Sequence, residues 1–80
     1  MMQIHLIQGE FEANEALDLI TQMIHVKIKY HENKINNSSN EEDIKRREAK
    51  IIRLQKELYE LRAFINLNNQ NVKIDAIIKI

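Results

Sequence analysis

The chain has 80 residues, 12 acidic and 12 basic side chains, no cysteine, no proline and a single glycine. Such a length makes one domain at most; disulfides are excluded, and zero formal charge removes the broad positive field that non-specific nucleic-acid binding relies on. Apolar residues (44%) and charged residues (30%) stand at ordinary levels for a folded chain, but a domain this small is marginal on one core, so a regular helical core or a partner is expected to supply the rest.

The opening stretch MMQIHLIQGEFEANEAL has no basic start and only a short apolar run, so no secretion signal is read in it. No segment reaches the roughly 18 apolar residues of a membrane span. The expected compartment is therefore the cytoplasm, with no membrane partner. Residues 2–8 alternate, with Met2, Ile4 and Leu6 on one face and Ile7 on the other. Period two predicts a strand, which Gly9 is expected to break.

From about residue 12 to about 35 the period changes to that of a helix. Ala13, Leu17, Ile20, Ile24, Ile28, His31 and Ile35 fall on one stripe, with Ala16, Met23 and Tyr30 on a second stripe beside it. The combined arc is wide enough for more than one neighbour. Asn36, Asn37 and Ser38 are turn formers. Ser39 with Glu42, or Ser38 with Glu41, fits a capping box, and Glu41, Glu42 and Asp43 suit the positive end of a helix dipole. NNS at 36–38 and NSS at 37–39 match the glycosylation sequon, but no secretion signal accompanies them.

A second helix is predicted over about 41–67. Ile44, Ile51, Leu58 and Ile65 repeat every seven residues, and Leu54 and Leu61 take the alternate positions, a coiled-coil seam on which Arg47 also lies. Residues 72–80 alternate again. Val72, Ile74, Ala76, Ile78 and Ile80 line one face of a strand, while Lys73, Asp75, Ile77 and Lys79 line the other.

Charge order supports an antiparallel pairing of the helices. The first helix starts acidic, with Glu12, Glu15 and Asp18, and turns basic at Lys27, Lys29 and Lys34; the second also starts acidic and ends with Lys56 and Arg62. Antiparallel pairing sets opposite charges side by side, and a short connection favours the same arrangement. The predicted fold is α+β, of order β-α-α-β. It combines a long antiparallel, coiled-coil-like helical hairpin with a two-stranded antiparallel sheet made from the two termini. Two strands alone are marginal in water, so extension by dimerisation is expected. The homodimer would form through strands pairing across a two-fold axis or through a four-helix bundle.

Four apolar residues lie off these buried faces: Ile7 and Ile77 on the polar faces of their strands, and Ile52 and Tyr59 seven apart on the second helix. They are the candidate interface, with packing inside one chain as the alternative. With the bend near residue 38, positions summing to about 77 face each other, which sets Arg47 opposite Tyr30 and His31. These three form a candidate polar layer fixing the register of the hairpin.

Catalytic and ligand chemistry find little footing. His5, His25 and His31 lack the i, i+3 or i, i+4 spacing of helical metal ligands. One glycine cannot build a phosphate loop, and the serines are placed to cap a helix. No metal, cofactor or catalytic residue is expected. The basic run KRREAK at 45–50 spreads its charges around the helix and carries no stacking aromatic. The expected function is a non-catalytic protein–protein interaction module, an adaptor or scaffold. A small regulatory nucleic-acid-binding dimer comes second, and a small enzyme with a site at a dimer interface third.

Overall fold

The computed structural model describes residues 1–80. Its elements are β1 (Gln3–Phe11), α1 (Ala13–Asn36), α2 (Glu41–Asn68) and β2 (Val72–Lys79). The two terminal strands pair antiparallel and the two helices pack on each other, the β-α-α-β arrangement expected from the alternating periods.

The hairpin follows from its seams. Leu54, Leu58 and Ile65 of α2 are buried, and Ile44, Ile51 and Leu61 are half-buried beside them. On α1 the facing stripe holds Ala13 and His31, both buried, with Leu17, Ile20, Ile24 and Ile28 half-buried between them and Ile35 half-buried beyond His31. The α2 start differs from the predicted serine cap. Asn40 is the N-cap: its Oδ1 accepts from the backbone N–H of Glu42 at 2.9 Å and of Asp43 at 3.2 Å. Ser38 Oγ instead accepts from the N–H of Asn40 at 3.2 Å and shapes the turn before the cap. Asparagine caps as well as serine does, so the cap simply moves to the residue whose extended backbone adjoins the helix. At the other end Asn69 takes the left-handed conformation (φ 45°) and its N–H closes on the Ile65 carbonyl, a role in which asparagine is second to glycine.

β1 departs from the sequence reading at two points. The register runs Gln3 to Lys79, Ile4 to Ile78 and His5 to Ile77, then resumes with Ile7 opposite Ala76, leaving Leu6 as an extra residue in a β-bulge. A bulge reverses the alternation of everything beyond it. Ile7 therefore joins Ile4 on the face shared with Ile74, Ala76 and Ile78, not the polar face on which strict alternation set it. Nor does Gly9 end the strand. It pairs with Ile74 at φ 140°, a conformation glycine takes without penalty, and β1 continues to Phe11.

Helix and ribbon meet at one corner. Only Glu12 separates β1 from α1. The small residues Ala13 and Ala16 are buried there, as is Ile74 of β2. Beyond that corner the apolar face of the ribbon stays open, and Met2, Ile4, Leu6, Ile78 and Ile80 are exposed. The molecule measures 44 × 37 × 13 Å, about one helix thick. No helix is long and apolar enough to cross a membrane.

Two substitutions check this account by urea unfolding. Leu58→Ala, at the buried centre of the seam, is expected to cost about 2–5 kcal/mol. Asn40→Ala removes both cap bonds and is expected to cost about 1 kcal/mol.

Candidate functional site

The polar residues of the hairpin gather in its half nearest the bend. Tyr30 and His31 come from α1, and Arg47 faces them one turn and a half into α2. Arg47 Nη1 lies 3.1 Å from His31 Nδ1, and its Nε lies 3.2 Å from Asp43 Oδ2, an i, i+4 pair within α2. The guanidinium only donates, so His31 Nδ1 accepts. The imidazole is thus neutral, with its proton on Nε2. The Tyr30 ring stands edge-on to His31, 5.4 Å between centroids at 70°. Lys34 Nζ at 5.7 Å and the Arg47 guanidinium at 5.9 Å lie within cation–π range of the Tyr30 ring.

His31 is 5% exposed and is the only buried residue with a polar side chain. Burial, and then the positive charges of Arg47 and Lys50 on α2 and Lys27 on α1, hold its pKa below the ordinary 6.5. The hydrogen bond from Arg47 holds the Asp43 carboxyl below its ordinary 3.8, aided by the charges of Arg47 and Arg46. No buried side-chain nitrogen or oxygen lacks a hydrogen-bond partner. The layer is satisfied, the condition under which polar groups in a helical seam can fix its register.

Above this layer, between the helices, lies an open cavity of about 330 Å³. Lys27, Tyr30 and His31 line it from α1, and Lys50, Arg53 and Glu57 from α2. Three cations face one carboxylate. The groove suits an acidic group.

The remaining singled-out residues are spread over the molecule. Ile52 and Tyr59 are 65% and 76% exposed on α2. Ile77 is partly exposed opposite His5 on the outer face of the ribbon, while Ile7 is half-buried on its inner face. His5 and His25 are exposed, and no three His, Asp or Glu side chains are grouped so as to hold a metal ion. The sequence reading passed over Asp43 as a partner of Arg47, although the i, i+4 spacing announces it. It also passed over the exposed Val26, Phe64 and Leu67, which belong to no regular stripe. Comparison with known proteins finds no match: no family model, no curated protein and no solved structure matches this chain.

The layer makes stability depend on pH. A histidine held below its unfolded pKa binds its proton more weakly when folded. The stability it preserves is therefore complete above about pH 6.5 and falls as the pH drops toward the folded value. Asp43 acts in a lower window, its contribution present above 3.8 and lost beneath it. The urea midpoint is expected to fall between about pH 8 and about pH 5, and His31→Gln, which can still accept from Arg47, is expected to flatten that slope.

Proposed function

We propose that this chain is a non-catalytic protein–protein interaction module, an adaptor or scaffold that works as a homodimer. The observation that carries the reading is the amount of surface left open. A compact chain of this length has a radius of gyration of about 12 Å, whereas this one measures 15.2 Å. A folded monomer of 9.5 kDa exposes roughly 5,000 Å², whereas this one exposes 6548 Å². The excess is comparable to the area that one partner contributes to a stable protein interface, about 800 Å² or more. Much of it is apolar, including Val26, Ile52, Tyr59 and Phe64 on the helices. Aromatic side chains such as Tyr59 are the kind that anchor interfaces.

The hairpin contributes the working face in this reading, and its seam holds that face rigid. Ile52 and Tyr59 point away from the buried stripe of α2, so their removal should spare the fold. Ile52→Ser with Tyr59→Ser is expected to change unfolding stability by about 0.5 kcal/mol or less per site. A photo-reactive residue at position 59 is expected to give discrete adducts in native extract. Excess unlabelled chain should suppress those adducts, while excess Ile52→Glu, Tyr59→Glu chain should not. Adducts indifferent to both competitors, or absent, would count against the reading.

The basic groove of Lys27, Lys50 and Arg53 is the one feature that favours the nucleic-acid alternative. In that case affinity for duplex DNA would drop steeply with added salt, in proportion to the phosphates contacted. The interaction-module reading expects no such binding at physiological ionic strength.

A further inference from the structure

We propose that the free edge of β2 pairs antiparallel with the same edge of a second copy, about a two-fold axis through Ile77. The result is a continuous four-stranded sheet of order β1-β2-β2-β1. The proposal rests on reading the chain as a self-associating module, and it names the partner and the register.

The ribbon has two free edges, and they are not equivalent. β1 carries the bulge at Leu6 and the glycine at φ 140°, irregularities that discourage a further strand. β2 carries no bulge and is rich in isoleucine. Its backbone orientation follows from the end of the ladder. Met2 and Ile80 exchange both N–H to C=O bonds, each at 2.7 Å. Counting back in twos, Ile78, Ala76, Ile74 and Val72 also turn toward β1. The N–H and C=O groups of Lys73, Asp75, Ile77 and Lys79 therefore point to open solvent, a template for pairing. Ile74 is buried at the corner with α1, but Ile77 to Ile80 are all exposed and stand clear of it.

Side chains then select the register. A two-fold perpendicular to the sheet keeps every residue on its own face, so the axis must pass through a residue. Through Lys73 or Asp75 it sets like charges in contact on the axis. Through Ala76 it opposes Lys73 to the partner's Lys79. Through Ile78 it opposes Ile77 to the partner's Lys79. Through Ile74 the charges match, but the axis falls in the corner filled by α1, and Ile78 and Ile80 gain no facing strand.

Through Ile77 the whole strand complements itself. Asp75 meets the partner's Lys79 on both sides of the axis, and Ile77 meets the partner's Ile77 between these two ion pairs. On the other face Ile78 meets the partner's Ala76, and Ile80 meets the partner's Ile74. About six backbone hydrogen bonds form. The lone apolar residue on the polar face of β2 thus acquires a place, at the centre of the interface.

The native chain has no cysteine, so single substitutions report the register without background. In a hydrogen-bonded antiparallel pair the Cα atoms lie about 5.5 Å apart, within disulfide range. Ile77→Cys is expected to give a covalent dimer in high yield on mild oxidation. Asp75→Cys alone is not, because its own copy lies about 13 Å away along the strand; mixed with Lys79→Cys it is expected to give the heterodimer. Asp75→Lys should weaken the non-covalent dimer roughly tenfold, since two attractive pairs become repulsive, and Asp75→Lys with Lys79→Asp should restore it. A chain monomeric at all concentrations by light scattering overturns the proposal. So does oxidation that links Ile74→Cys but not Ile77→Cys, or a dimer indifferent to both charge changes. The helix-face reading fails separately, by loss of the adducts at position 59 while the Ile77→Cys link still forms.

Discussion

Every part of this fold depends on one line of contact, the seam between α1 and α2. The ribbon touches the helices only at a corner, so the seam is the sole continuous apolar core, and seven residues in the whole chain are buried. A seam of leucine and isoleucine alone permits sliding by a turn or a rotation, since such residues pack in many registers. His31 and Arg47 suit the role of restricting that freedom, since a shift of the helices by one turn would break their bond and leave a buried imidazole facing another neighbour. The cost of burying it appears as the depressed pKa of His31. The antiparallel hairpin carries β1 and β2 to the same end, where they pair.

The seam also sets the shape. Two helices side by side cover one flank of each other and leave the rest to solvent, and a two-stranded ribbon covers little more. A layer 13 Å thick has no interior in the usual sense. The apolar residues left outside include two ordered groups: Ile52 and Tyr59 share one stripe of α2, and Ile78 and Ile80 share one end of the ribbon. Shape and composition are the observations behind the proposed association, in which strand pairing would join two copies and leave the helix faces for other proteins.

Much of the fold was legible because period is a strong signal. The heptad from Ile44 to Ile65 and the alternation from Val72 to Ile80 each admit one reading, and the short connection over residues 37–40 requires the helices to run antiparallel. The bulge at Leu6 was not legible. In β1 the apolar residues change phase between Ile4 and Ile7, and sequence alone does not tell a bulge from an exposed isoleucine. The partner strand decides it, because beyond the bulge Ile7 pairs with Ala76 on the inner face. The cap moved by one residue for a related reason, since Ser38, Ser39 and Asn40 are all competent and only the backbone path selects among them. The polar layer of Tyr30, His31 and Arg47 was legible from the position of the bend, as facing residues in an antiparallel hairpin have a nearly constant sum. The same rule sets Lys27 opposite Lys50, while the approach of Arg53 to that pair depends on the rotation of each helix about its axis.

Self-association of the kind proposed above would couple folding to assembly. Thermal unfolding followed across a hundredfold range of protein concentration tests it most directly. If folding is coupled to association, mass action raises the midpoint as concentration rises. The account predicts that rise, with a single cooperative transition at each concentration. A midpoint that stays constant over the range, from a species whose scattering mass is that of one chain, would contradict it.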